Sequence, residues 1–507
     1  MSKHALIEIN LGSLRLTTSN VRDGETFFTT NQYVEEINFN DAIKSSGLVP
    51  SEKIAECVGI LKMFKKICVA EGVEAYHAVA TGNLMGAKNY QSFIDEAGHA
   101  IGLKFDILTP EEGTACIYSA VVNTLDVPKG IIVSVSTNST RLIHYNRRVV
   151  LEGATIPLGS SSLFEKTQDV NEAVNLIKEE ILKLAPFIQG QEETTPIVGV
   201  GETFKSFVRL SRKMKRYPVG LEHNFVASDK DFDQVFNFIK DLEPDKKQKI
   251  KGISSLSSAD IIASLCIVKA VLEVSKLNTI ITSVNTRSNG VMFHKAIPYT
   301  LERPVHDVLT YGLDTIAAQA DLDRKHAEQL YSLALMLFKQ LKVLHKLPRS
   351  FAKILRIATW LYHIGRHIDP LNFRQINYHA IINTTVYGAT HRETILAAFC
   401  ASIEKWEDFN LHEWVKYKDI LTDEDLEAVR KISNIISIAA ALNLRAQHVI
   451  KDITCDVLGE SVILKLVTEL DPKSTKIDPL AAKMEIFYAN KYTGEFYKAF
   501  KKNLEIL

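Results

Sequence analysis

The chain has 507 residues, too many for one hydrophobic core, and at roughly 100–200 residues per domain it should divide into about three or four. Lys plus Arg and Asp plus Glu balance at 60 each, which excludes a polycation, so any polyanion site must be local and no nucleic-acid partner is expected. The six cysteines (Cys57, Cys68, Cys116, Cys266, Cys400, Cys455) are scattered without a CxxC pair and read as reduced core residues, not as a disulfide frame or a zinc site.

In chain order, the N-terminus lacks the apolar run and cleavage site of a signal peptide, and no window approaches the roughly 18 uncharged apolar residues of a membrane span. A cytoplasmic protein without a membrane partner is expected. Ala5 to Asn10, Ser13 to Ser19 and Glu25 to Asn31 alternate as a strand meander, with turns at Asn10 to Ser13 and at Arg22-Asp23-Gly24. Ser51 is predicted to cap a helix running to about Ala70, and Ala75 to Thr81 and Lys104 to Leu108 are predicted strands. Thr109-Pro110-Glu111-Glu112 opens a helix with the spacing of a capping box.

The pattern restarts at Gly130. GIIVSVSTNSTRL, Gly130 to Leu142, is a buried-type strand that runs into the small hydroxyl and amide residues Ser136 to Thr140, then returns through Asn146-Arg147-Arg148 as a hairpin. Such a turn is either an ordinary hairpin or a phosphate cradle. Helices near Asn171 to Leu184, from Glu202, around Asp229 to Leu242 and over Ser258 to Val274 flank strands at Pro196 to Val200 and Thr279 to Ser283. Two βββαβα-like halves imply an internal duplication, with the turns Asn10 to Ser13 and Ser136 to Thr140 at the cleft between them.

From about Pro304 the apolar period becomes helical, over Arg324 to Leu344, Phe351 to Arg366, His391 to Trp406 and Asp423 to Leu444. Ser461 to Val467 and Met484 to Tyr488 alternate again. The expected division is 1–125 and 126–304 for the two halves, 305–445 for a helical domain and 446–507 for a small C-terminal α/β domain.

Ala5 to Leu16, Ala78 to Ile94, Ile107 to Val121, Ile131 to Leu142, Ile156 to Leu163, Val200 to Lys205, Asp260 to Cys266 and Leu361 to Gly365 together resemble the exopolyphosphatase and guanosine pentaphosphate phosphatase family. The resemblance covers nearly the whole chain. It implies an α/β fold of two actin-like (ribonuclease H-like) halves, an all-helical HD-type domain, a small C-terminal α/β domain, and a homodimer. It also implies polyphosphate or guanosine tetra- or pentaphosphate as ligand and, in an active member, Mg2+.

The departures fall where that chemistry would sit. The family's Asp-x-Gly-Ser-Asn-Ser turn reads Glu8, Asn10, Leu11, Gly12 and Ser13, and its Asp-x-Gly-Gly-Gly-Ser-Thr-Glu loop reads Ser134 to Arg141, keeping only Ser139 and Thr140. A family arginine falls on Met85. Aligned without gaps, the catalytic glutamate falls on Gly113; a one-residue slip restores Glu112. The family's His-Asp pair reads Tyr362-His363, and its later histidines fall near Arg374, Ile376 and Glu404. His363, His367 and Asp369 are a conceivable replacement metal cluster.

The resemblance thus implies phosphate-binding residues at Gly12, Ser13, Ser136, Asn138, Ser139, Thr140 and Lys205. Arg209, Arg212, Lys213, Lys215 and Arg216, followed by Lys246, Lys247, Lys249 and Lys251, form basic runs that are either solvated faces or a polyanion patch. Asp260 is a retained position, and Arg287 lies next to a family cleft arginine. Three readings stay open. The first is a catalytically impaired binding or regulatory relative. The second is a divergent phosphohydrolase with Glu112 or Glu111 as catalytic base and Glu8 as metal ligand. The third is an interaction module without a small ligand.

Overall fold

The computed structural model describes residues 1–242, 258–446, 449–468 and 482–507. The chain separates into two compact units, Met1–Arg216 with Glu222–Tyr311, and Tyr217–Leu221 with Gly312–Leu507.

The first unit holds two sheets. One comprises β1 (Ser2–Ile9), β2 (Ser13–Arg22), β3 (Thr26–Glu36), β4 (Ala75–Thr81) and β5 (Asp106–Leu108), in the order β3-β2-β1-β4-β5. The other comprises β6 (Lys129–Val135), β7 (Thr140–Asn146), β8 (Val149–Ile156), β9 (Ile197–Val200), β10 (Val226–Ser228) and β11 (Thr279–Ser283). Read from β8, its order is β8-β7-β6-β9-β11-β10. In each sheet an antiparallel meander continues into parallel partners, β1 with β4 and β6 with β9. This repeat is the duplication expected from the order of elements. Parallel strands are covered on both faces, which is why β9 is buried at all four positions and reads as an unbroken apolar run.

Helices α1 (Asn40–Ser46), α2 (Ser51–Ala70), α3 (Tyr90–Ile101) and α4 (Pro110–Val122) belong to the first half. Ile7, Ile9, Leu61, Phe64 and Phe93 form part of one continuous core there. Ser51 is the first residue of α2, not its cap; Pro50 precedes it in extended conformation, and proline has the fixed φ that suits a helix start. The second half carries α5 (Ser160–Phe164), α6 (Val170–Leu184), α7 (Glu202–Lys215), α8 (Asp229–Lys240), α9 (Ser258–Ser275) and α10 (Arg287–Ala296). Ile117 and Val121 of α4 pack with Ile132, Ile143 and Val198 in a second core.

The second unit is helical from Arg324–Gln340 through Asp423–Leu442, followed by a three-stranded sheet of β12 (Ile450–Leu458), β13 (Ser461–Thr468) and β14 (Asn503–Ile506). Helices at Val308–Gln319 and Phe373–Ile382 add to those foreseen. The expected Phe351 to Arg366 helix ends at Trp360 and turns follow it, among them Gly365, where a Cβ would come within 2.5 Å of the Phe373 carbonyl. Met484 to Tyr488, whose alternation suggested a strand, is part of the helix Lys483–Ala489. Its Glu485 is buried and gripped by Arg445, Nε to Oε1 at 2.6 Å and Nη2 to Oε2 at 2.9 Å. A carboxylate points inward here and Phe487 outward, so the tertiary ion pair overrides the local pattern.

All six cysteines are free, and five are buried. No helix among the described residues is long and apolar enough to cross a membrane.

Candidate functional site

The turn between β1 and β2 takes its shape from the backbone. Asn10 N–H donates to the Ser13 carbonyl at 2.9 Å, while the Leu11 and Gly12 carbonyls accept from Phe39 and Ile37 at 3.0 and 3.1 Å. Gly12 is exposed, and a Cβ there would meet nothing within 4 Å.

The loop between β6 and β7 is tighter. Ser136 N–H donates to the Ser139 carbonyl at 2.9 Å, its Oγ donates to the same carbonyl at 2.8 Å, and the two hydroxyls lie 3.1 Å apart. The carbonyls of Ser136 and Thr137 accept from the Ser160 and Ser161 amides, each at 3.0 Å, so they cap the start of α5. Gly159 is required at this junction, since a Cβ would come within 2.1 Å of the Ser136 carbonyl oxygen and 2.6 Å of the Asn138 and Ser139 nitrogens. The Thr140 hydroxyl donates to the Leu158 carbonyl at 2.8 Å and is buried. Asn138 Nδ2 donates to Asn40 Oδ1 at 2.8 Å, tying the loop to the first half.

Ser136, Asn138, Ser139 and Thr140 therefore share one loop. Asp260 on α9 stands behind it, accepting from Ser161 Oγ at 3.0 Å. Gly201, at φ 102°, starts α7 beside the Val135 carbonyl, which places the half-buried Lys205 one turn along that helix.

Glu112 is turned away from any role in this loop. Its Oε2 accepts from the Thr109 amide at 2.8 Å, while its own amide donates to Thr109 Oγ1 at 3.2 Å. This is the capping box that the spacing foretold. Glu112 lines a cavity of about 660 Å³ with Cys116, Arg148, His294 and Lys295, and none of the loop residues 136–140 borders it. Glu111 is exposed in a neighbouring groove with Thr114 and Tyr118. Met85, where the family carries an arginine, is 48% exposed.

Gly113 faces charge of the opposite sign. A Cβ on it would lie 3.9 Å from Arg141 Nη2 and 3.8 Å from Arg287 Cδ. Arg287 opens α10 and donates to Asn10 Oδ1, and its Nη2 lies 3.7 Å from Glu8 Oε1. Glu8 is fully buried; its Oε2 accepts from Ser288 Oγ at 2.6 Å, and Ser288 in turn accepts from Arg15 at 3.3 Å. Arg141 is 8% exposed, its side chain makes no hydrogen bond or ion pair among the described residues, and its Nε is buried without a partner. Burial, then the charge of Arg287, pulls its guanidinium below the usual arginine range.

These residues do not fit Mg2+. A hard cation needs several oxygen ligands, carboxylates above all. Here Glu8 and Asn10, beside the first turn, both face Arg287. Among the described residues no group of three His, Cys, Asp or Glu side chains is placed to hold a metal. Glu8 as a metal ligand is therefore replaced by Glu8 as the counter-ion of an arginine.

The basic run on α7 is largely engaged. Arg209 pairs with Glu222 at 2.6 Å and Glu202 at 2.9 Å, and Lys215 with Asp231 at 2.5 Å. Arg212 and Lys213 also have partners, and Arg216 ends the helix at φ 51°. Lys246, Lys247, Lys249 and Lys251 lie outside the described residues.

In the second unit the imagined cluster comes apart. His363 Nε2 lies 2.8 Å from His326 Nε2, whereas Asp369 accepts from the Leu371 and Asn372 amides at 2.9 and 3.1 Å and His367 is exposed. Burial, followed by His326, Arg366 and Arg374, pushes His363 down to about 2. Arg374 donates to the Ile403 carbonyl at 3.1 Å and Ser437 Oγ at 3.3 Å, lies 5.0 Å over the Tyr362 ring, and has Glu404 at 3.8 Å.

Comparison with known proteins places this geometry. The chain is 22% identical over 306 residues to the bifunctional 3-dehydroquinate synthase/phosphatase of Fusobacterium nucleatum, covering 57% of this chain and 46% of that protein. It is 25% identical over 147 residues to retrograde regulation protein 2 of Saccharomyces cerevisiae, covering 27% of this chain and 25% of that protein. The chain thus spans less than half the length of these curated relatives. Among solved structures, the Aquifex aeolicus member of the Ppx/GppA family matches 59% of this chain and 98% of its own, at 24% identity and a TM-score of 0.51. An exopolyphosphatase from Cytophaga hutchinsonii matches 58% and 98%, at 15% identity and a TM-score of 0.52. These two likenesses establish the fold of two actin-like halves. Residues 19–297, more than half of the chain, match the sequence profile of the Ppx/GppA phosphatase family, and the protein belongs to that family.

Proposed function

We propose that the chain is a catalytically impaired member of its family, a cytoplasmic homodimer that binds polyphosphate or guanosine tetra- or pentaphosphate and acts as a regulatory relative. The observation that carries this reading is the fate of the base. In the gap-free alignment Gly113 falls on the catalytic position, and Glu112, which a one-residue slip would put there, has its carboxylate engaged by the Thr109 amide at 2.8 Å. A positioned base contributes about 10²–10⁴-fold to such a reaction, and phosphoryl transfer further needs charge neutralisation that a metal normally supplies. The donor set at Glu8 and Asn10 offers no replacement ligands. A regulatory role also accords with the name of the yeast relative.

The test is direct. Purified full-length protein incubated with polyphosphate or guanosine pentaphosphate and Mg2+ is expected to release no phosphate above the buffer rate. Release that is abolished by Glu112→Ala would overturn the reading. Small-angle scattering of the same sample checks the dimer.

A further inference from the structure

We propose that Arg141 and Arg287 form a receptor for the terminal phosphoryl group of a phosphoanhydride ligand, and that this receptor works without a divalent cation. The inference rests on the reading above that a phosphate ligand is bound and not cut, and it names the groups that bind it.

Arg141 carries the argument. A buried charge is ordinarily paired, because taking it out of water unpaired costs several kcal/mol. Arg141 is 8% exposed and has no acceptor among the described residues. The charged group beside it is a second cation, Arg287. Like charges held together in a buried place are unfavourable unless an anion joins them.

The geometry says where that anion would sit. Both side chains meet over Gly113, one 3.9 Å and the other 3.8 Å from the point where a Cβ would stand. The absence of a side chain there leaves room at the second turn of α4. Glu8, the carboxylate at 3.7 Å from Arg287, also serves Ser288, while Arg15 adds another cation to the same cluster through its contact with Ser288. Of these three guanidinium groups, Arg287 has Glu8 as its carboxylate and Arg15 reaches the Ser288 hydroxyl, while the Arg141 side chain has no partner among the described residues. A guanidinium presents a planar fork of donors that matches phosphate oxygens in pairs, and it keeps its charge even when burial weighs against it. Where Mg2+ finds no ligands, two arginines supply the positive charge instead.

Thermal unfolding of the full-length protein with tripolyphosphate, guanosine tetraphosphate or orthophosphate, in EDTA and separately in Mg2+, tests this. Binding to the native state raises Tm, so a rise in EDTA with any of these probes supports the receptor. Arg141→Met is expected to weaken that binding roughly 10- to 100-fold, the worth of charge-assisted hydrogen bonds. The same variant should leave the ligand-free Tm unchanged or raised, since it removes an unpaired buried charge. A structural role for Arg141 would lower it. Arg141→Lys, which keeps a point charge but not the fork, should bind with intermediate affinity. A Tm rise that requires Mg2+, or wild-type binding by Arg141→Met, would overturn the proposal. Failure of the two readings is distinguishable: phosphate release in Mg2+ overturns impairment alone, whereas no shift in EDTA overturns the receptor alone.

Discussion

Two guanidinium groups stand in this chain where its family resemblance implies a metal, and their charges are met in different ways. Arg374 in the helical unit is closed: carbonyl, hydroxyl, ring and carboxylate all come from the chain itself, from Ile403, Ser437, Tyr362 and Glu404. Arg141 in the first unit is open, with a buried Nε and no counter-ion among the described residues. A cation that brings its own partners serves the fold. One that lacks them leaves an unfilled valence, and only the second invites a ligand.

The comparison can be broken by experiment. The largest effect is expected at the closed site. Arg374→Met strips the Ile403 carbonyl of its donor and leaves Glu404 with only the Tyr492 hydroxyl; with Glu404 still 45% exposed, the loss should be about 2–3 kcal/mol by chemical denaturation. Arg141→Met, by contrast, should cost nothing in the absence of ligand. Equal losses at both positions would erase the distinction.

Acid probes the same unit. Burial and the neighbouring cations hold folded His363 at about 2, well below its ordinary 6.5, so the unfolded chain takes up a proton first as pH falls. Its contribution is complete above pH 6.5 and declines steadily below, by about 1.4 kcal/mol per pH unit, or about 2 kcal/mol by pH 5. His363→Asn should flatten that part of the stability profile, measured as Tm against pH.

Gly113→Glu brings an acid to the open site. A carboxylate there would reach Arg141 and supply the missing counter-ion, and replacing a helical glycine adds up to about 1 kcal/mol. Tm should rise while the response to tripolyphosphate disappears, and no hydrolysis should return. A small loss is expected from Glu112→Ala, which opens the capping box at a cost of about 0.5–1 kcal/mol and leaves the tripolyphosphate response intact.

The contrast between open and closed sites was not legible in the sequence, though much around it was. The strands flanking Ser136 to Thr140 and the box at Thr109 and Glu112 follow from alternation and fixed spacing, which act within a few residues. The reversal of sign at Arg141 was visible too. Its consequence was not, because Gly113, Arg141 and Arg287 converge only through folding of two sheets and two helices. The same holds for the run at Arg209 to Arg216. Its cations sit together in sequence, but Glu222 and Asp231, which neutralise Arg209 and Lys215, come from beyond α7. Glu485 misled for the same reason, since its partner Arg445 lies across the unit.

The β6–β7 loop draws its form from the first amides of α5 and from the gap left at Gly159. A guest would meet a mould cast before its arrival. The Ser136 and Thr137 carbonyls are already bonded within the chain, which lowers the ordering cost of association. Among phosphate ligands of equal charge, discrimination should then reside more in how long each one stays than in how fast it arrives.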